Sequence, residues 1–488
     1  MNNIFDKLKN YSDSDYYAFH MPGHKRNLDL MDGTSPYRID ITEIDGFDDL
    51  HHAEGILRDA QERAARVYHA DETHFLVNGS TVGILSAILG TTEKGDSILV
   101  ARNCHKSVYH AIYLNELDPV YLYPKFDTEQ GLSTEIDAAD VQKALEEHPK
   151  IRAVMIVSPT YDGVVSDIEK IAEIVHAKGC PLIVDEAHGA HFGFDPYFPK
   201  SANIYGADLV INSLHKTLPA LTQTALLHVN GDMVKRRKVK QYLDMLQTSS
   251  PSYILMASID ACIGMLEETL ETHSDARSDY KYKNIFSEYA NRIEALRKDL
   301  KRLKYLKIIQ TDNTDRYDRS KFVISVKHVP MSSHELYEIL LHRYHLQMEM
   351  LAGTYVLAMT TVGDTQEGLD RLRDALLEID KEIDTRQGRP AAIETDLPLS
   401  GRQPALEKVW TIAEAVNRRD KIQKRSFEDS IGCISVEYAY LYPPGSPLIV
   451  PGERITKEAV EILHWYQEHD FSIEGLQSED GIEVWIDG

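Results

Sequence analysis

The 488-residue chain is poor in the features that mark several classes of protein. It has only four cysteines, Cys104, Cys180, Cys262 and Cys433, far apart and with no C-x-x-C pair. They read as buried or incidental thiols and exclude a disulfide framework. Positive charge is scarce: 53 Lys and Arg stand against 77 Asp and Glu, a net of −24. A nucleic-acid groove needs a basic face, so that class is excluded. A cationic small-molecule partner fits such a balance. No run of about 20 apolar residues occurs, as a membrane span would need. The opening segment MNNIFDKLKNYSDSD has no apolar core of signal-peptide kind. The expectation is a soluble, cytoplasmic protein with no membrane partner. Internal repeats and low-complexity tracts are absent too.

What is present is a globular composition, 43% hydrophobic and 27% charged, in a chain too long for one ordinary core. Residues 54–68 place Ile56, Leu57, Ala60, Ala64, Val67 and Tyr68 on one helical face. Seven short apolar runs follow: 73–77, 97–101, 120–123, 153–157, 181–185, 208–212 and 225–229. Each is near-continuously apolar, as strands buried on both faces are. Helical patterns such as 137–147 and 167–177 separate most of them, which predicts an open, mostly parallel α/β sheet of about seven strands. A long amphipathic helix is expected over 285–303. A smaller unit follows, with a strand at 321–327, a helix at 333–343, strands near 345–350 and 355–361, and a helix at 366–383. The polar stretch 384–404 reads as a linker. The expected division is an N-terminal segment 1–53, a large domain 54–310, a small α+β domain 311–385 and a C-terminal α+β domain 386–488.

The chemistry-bearing residues sit at strand ends. The run 73–77 leads into Asn78-Gly79-Ser80-Thr81 and a helix. Gly79 permits a tight turn, and a helix N-terminus offers N–H groups and a positive dipole to an anion. Taken alone, Ser80 and Thr81 read better as ordinary caps than as a phosphate site. Asp185 ends the run 181–185, where open α/β sheets bind ligands. Lys216 lies just past the run 208–212, poorly solvated and therefore suited to imine chemistry. A phosphate turn, a strand-end Asp and a strand-end Lys, in that order, are the parts of a pyridoxal-phosphate (PLP) site. Two other readings fail. Asp-Glu-Ala-His (185–188) is also a helicase string, but the required G-x-x-x-x-G-K-[ST] loop is missing. His188 and His191 lack the H-E-x-x-H spacing and a third ligand, and Pro22-Gly23 precludes a regular helix between His20 and His24, so no metal is expected.

The strings FHMPGHK (19–25), NGST (78–81), RNCHKS (102–107), SPTYDGV (158–164), VDEAHGAH (184–191), SLHK (213–216) and YPPGSPLIVPGE (442–453) closely resemble the bacterial ornithine/lysine/arginine decarboxylase family. The likeness spans nearly the whole chain and is to the short branch, which has no N-terminal wing domain. It implies a PLP enzyme of the aspartate-aminotransferase-like fold, with 54–310 as the PLP-binding large domain and 386–488 as the C-terminal decarboxylase domain. Lys216 would carry the cofactor, Asp185 would pair with its pyridine nitrogen, and Gly79, Ser80, Thr81 and Ser213 would hold the phosphate with His215 beside it. His105 would stack on one face of the ring and Ala187 would face the other. His188 stands close by, where the large enzymes carry tryptophan. Thr248, in QTSSPSY, resembles the threonine that reaches the neighbouring subunit's site, which implies a homodimer with shared active sites and room for higher oligomers. Glu453 is similar to the carboxylate that meets the substrate's distal cation.

The expected reaction is decarboxylation of arginine, lysine or ornithine to CO2 and a polyamine-type amine. Lys216 and His105 are the candidates to reprotonate Cα. The nearest alternative is another PLP reaction such as transamination or elimination. A catalytically silent regulatory relative is the second.

Overall fold

The computed structural model describes residues 13–25, 27, 29, 36–271, 282–310, 316–384, 403–418, 420–442 and 445–486. Almost all of the linker expected at 384–404 lies outside them, as do Pro443 and Pro444.

The seven apolar runs form one sheet: β1 Glu72–Leu76, β2 Ser97–Ala101, β3 Asp118–Leu122, β4 Ile151–Val157, β5 Leu182–Asp185, β6 Leu209–Asn212 and β7 Ala225–Val229. Their spatial order is β1-β7-β6-β5-β4-β2-β3. All pairs are parallel except those of β7, which runs against β1 and β6. Strands β5, β6 and β7 are buried at every position, because helices cover both faces. The helices over the sheet include α1 Gly79–Thr91, α2 Lys106–Leu114, α3 Ala138–Glu147 and α4 Ile168–Ala177. Asp137 and Asp167 start α3 and α4 by accepting hydrogen bonds from the first-turn N–H groups of Ala139 and Lys170. Ile88, Val108 and Ile171 pack onto Leu99, Val154, Ile183 and Val210 in one core.

The earlier helix, Ile56–Val67, buries Leu57, Ala60, Ala64 and Val67 as expected, but Ile56 is 59% exposed. It opens the helix one position, about 100°, from Leu57 and falls off the buried stripe.

The smaller domain carries a four-stranded antiparallel sheet of β8 Lys307–Ile309, β9 Lys321–Ser325, β11 Met350–Ala352 and β12 Tyr355–Met359, in the order β8-β9-β12-β11. Strand β8 precedes the division expected at 310 and yet pairs with β9. β10, Leu346–Met348, pairs in parallel with the N-terminal strand Tyr17–Phe19, so the start of the chain is stitched to this domain. The C-terminal domain has its own core of Leu448, Ile449, Leu463, Ile482 and Val484. Val450 and Ile412 join the large-domain core instead, which docks the two together. No helix among the described residues is long and apolar enough to cross a membrane.

Candidate active site

Strands β1, β2, β4, β5 and β6 all deliver their carboxyl ends to one edge of the sheet, where open α/β folds bind ligands. A cavity of about 230 Å³ lies there, with Ser80, His105, Asp185, Ala187, His188 and Lys216 in its wall. Lys216 sits on the short helix Leu214–Thr217 directly after β6. Its Nζ is 3.0 Å from His188 Nε2. Burial lowers the lysine pKa, and the negative field of Asp185 opposes the shift. Burial also holds His188 far below the usual histidine range, and the Lys216 charge adds to this. A neutral imidazole therefore accepts from the lysine. Asp185 ends β5, is buried, and takes a hydrogen bond from Ala187 N at 3.1 Å. Burial raises its pKa while Lys216 lowers it.

At the other end of the cavity α1 begins. Gly79 has φ +74° and nothing within 4 Å of where a Cβ would stand. Asn78 makes no side-chain capping bond, which leaves the amino end of a 13-residue helix open to an anion. Ser80 lines the cavity, whereas Thr81 is exposed. The Ser213 hydroxyl is buried and makes no hydrogen bond. His215 is tied through Nδ1 to Thr224 O at 2.9 Å, and burial lowers its pKa. His105 caps α2: its Nδ1 accepts from Ser107 N at 3.3 Å and lies 2.8 Å from Ser107 Oγ. Desolvation at the cavity wall, followed by the Lys216 charge, lowers the His105 pKa.

Several wall residues carry no role in the sequence reading. The loop after β4 supplies Thr160, Tyr161 and Asp162, and the small domain supplies Ala352, Gly353 and Tyr355. The Tyr161 ring packs 4.5 Å from the His188 ring, and its hydroxyl bonds Glu349, which also takes Met21 N at 2.8 Å. FHMPGHK is thereby explained. Gly23 N donates to His215 O at 2.7 Å, and a Cβ on Gly23 would meet Leu218 N at 2.7 Å. Lys25 Nζ is buried on His20 O and Met359 O. The segment is wedged between the Lys216 loop and the small domain. A polar string around Pro-Gly was the only sequence signal for it.

Comparison with known proteins gives the family. Residues 2–328 match the model of the Orn/Lys/Arg decarboxylase major domain, and residues 402–484 match that of the Orn/Lys/Arg decarboxylase C-terminal domain. The chain belongs to the Orn/Lys/Arg decarboxylase family. It is 35% identical to the uncharacterized protein YaaO of Bacillus subtilis, over 94% of this chain and 93% of that one. It is 31% identical to the arginine decarboxylase of Bacillus subtilis, over 94% and 92%. The crystal structure of the Francisella novicida lysine decarboxylase LdcF superposes with a TM-score of 0.79 at 19% identity, covering 98% of this chain and 80% of that one, which shows the shared fold. As a member of the family, this chain is a PLP-dependent amino-acid decarboxylase.

The residues present fit that cofactor: an uncapped helix end and an unbonded Ser213 hydroxyl for a phosphate, and a buried carboxylate near a half-buried lysine. Two other members of the expected set stand apart. Glu453, expected as the distal-cation carboxylate, is not among the described cavity-lining residues. It is 1% exposed and accepts from Arg102 Nη2 and from Val450 N, both at 2.8 Å. Arg102, itself 0% exposed, needs that charge more than a substrate does. Thr248 is exposed outside the cavity; its N–H reaches Asn78 Oδ1 at 3.4 Å and its carbonyl lies 2.9 Å from His51 Nε2. His191, weighed as half of a metal pair, is buried on Asp318 at 3.1 Å. Among the described residues no group of three metal-ligating side chains forms.

Proposed function

We propose that this enzyme removes the α-carboxylate of a basic amino acid, arginine first, and releases CO2 with the corresponding polyamine-type amine. The arginine decarboxylase relative, aligned over nearly the whole of both chains, supports that choice. The observation that carries the reaction is the convergence of Lys216, His188 and Asp185 in one cavity. Bound PLP supplies an electron sink for the pair left when the carboxylate departs.

The open end of α1, with Gly79, Ser80, Thr81, Ser213 and His215, would hold the phosphate. Asp185 would keep a proton on the ring nitrogen, and His105 and Ala187 would bracket the ring. Lys216, whose pKa burial lowers, would hold the cofactor through its Nζ, and the neutral His188 Nε2, 3.0 Å away, would orient it. Reprotonation of Cα falls to Lys216 or His105. Transamination is disfavoured because no arginine lines the cavity among the described residues, and that reaction usually seats the substrate carboxylate on one. The likeness of Thr248 to the family threonine that reaches the neighbouring subunit supports a homodimer with shared sites, read by sedimentation.

Purified, PLP-loaded protein is offered arginine, lysine, ornithine and neutral amino acids, with mass detection of products. Agmatine and CO2 from arginine are expected. Keto acids would indicate transamination, and no product from any substrate would indicate a silent relative.

A further inference from the structure

A basic substrate ends in a cation that must shed water in the cavity, which is tolerable only beside a carboxylate. Among the described cavity-lining residues only two are acidic, Asp185 and Asp162. Asp185 stands next to Lys216 at the ring end. Glu453, the third acidic residue considered, is consumed by Arg102. Asp162 stands free of such a claim. It follows β4, is 7% exposed, and accepts a hydrogen bond from Tyr355 Oη at 2.6 Å. No ion pair involves it among the described residues.

We propose that Asp162, anchored by Tyr355 across the domain junction, receives the distal cation of the substrate; this deepens the basic-amino-acid reading above and rests on it. The same cavity wall includes Phe126, Leu132, Leu441, Ile462 and Tyr466, apolar or aromatic surface for the methylene chain. Burial pushes Asp162 up to about 6, while the Tyr355 bond and the Lys321 charge pull the other way. Lys321 is the one internal cation that Asp162 feels, yet its Nζ makes no hydrogen bond, so it does not occupy the carboxylate. A buried, half-compensated carboxylate gains from an arriving cation what a fully paired one cannot. Tyr355 belongs to β12 of the small domain and Asp162 to the large domain, so the two domains jointly form the subsite.

The test compares wild type, Asp162→Asn and Tyr355→Phe as holoenzymes. Arginine, lysine and ornithine are run against citrulline and norleucine, and agmatine and 1,5-diaminopentane are titrated calorimetrically to read binding without turnover. For Asp162→Asn the KM for the best basic substrate and the Kd of its amine should both rise by about 30-fold or more. Constants for the neutral analogues should stay put, so discrimination collapses. Tyr355→Phe should shift the same ratio less, and it decides the matter if Asp162→Asn does not fold. Unchanged discrimination, or equal losses on basic and neutral substrates, would overturn the role of Asp162. If wild type decarboxylates none of the three basic amino acids, the substrate reading fails and this proposal fails with it.

Discussion

Two buried charge clusters lie at the same edge of the large sheet and behave in opposite ways. Arg102 and Glu453 are closed on each other by an ion pair: the guanidinium bonds Glu453, Leu448 O and Tyr109 Oη, and lies 4.9 Å over the Tyr121 ring, although Arg102 Nε and Glu453 Oε1 make no hydrogen bond. Glu453 also takes a backbone N–H, and neither residue reaches the cavity. Lys216, Asp185 and His188 are open. The lysine leans on a neutral imidazole, Asp185 has only a backbone N–H, and His188 Nδ1 and Ser213 Oγ have no partner. Opposite charges bonded directly to each other hold domains together. A cluster left unsatisfied stores affinity for a ligand. Both clusters leave buried polar atoms without a partner; what distinguishes them is the direct Arg102–Glu453 ion pair on one side and the opening of Lys216, Asp185 and His188 onto the cavity on the other.

Breaking the open cluster should therefore cost activity, and breaking the closed one should cost stability. The largest effect is expected for Lys216→Ala, which should lower turnover by about 10,000-fold or more, read by amine release, while the fold persists in circular dichroism. Asp185→Asn should keep PLP bound, as seen by absorbance, and lose about 100- to 1,000-fold in kcat. Near-normal turnover would move Asp185 into the structural class.

Glu453→Gln inverts the pattern. It leaves Arg102 buried without its counter-charge, at a cost of about 3–5 kcal/mol in urea unfolding. The double variant Arg102→Met/Glu453→Leu should recover much of that loss. A large KM change in Glu453→Gln with unaltered stability would return Glu453 to the substrate.

The smallest expected effect concerns a buried, neutral histidine away from the cavity. His228, fully buried on Thr73 Oγ1 at 2.8 Å, is held down to about 3 by burial. Its folded pKa lies below the unfolded value of about 6.5, so the unfolded chain binds the extra proton. Its contribution is present above pH 6.5 and is lost on acidification, by about 1.4 kcal/mol per pH unit between 6.5 and 3. Glu186 and Asp162, raised to about 7 and about 6, slope the other way. The wild-type minus His228→Asn stability difference, measured from pH 7.5 to 5, isolates the histidine. A flat difference would contradict its buried neutrality.

The large sheet was legible because strands buried on both faces write themselves as apolar runs, and all seven lie within a few residues of their expected positions. β8 was not, since three residues carry too little pattern. Neither was the helix Tyr253–Glu271, whose apolar residues mark no single face. Lys216 and Asp185 were visible because a strand end places a residue by itself. The role given to Glu453 rested on likeness, and its partner Arg102 lies 351 residues away, beyond any local pattern. Asp162, Tyr161 and Glu349 owe their places to contacts between domains, which no local string contains.

The central claim is that the open cluster, and within it Lys216, is where the cofactor is held. Lys25 and Lys321 are buried lysines near it, so the claim has rivals within the same chain. PLP-loaded protein reduced with borohydride and mapped by peptide mass spectrometry should carry the pyridoxyl group on Lys216 alone. A label on Lys25, on Lys321 or on a scatter of surface lysines would contradict the account.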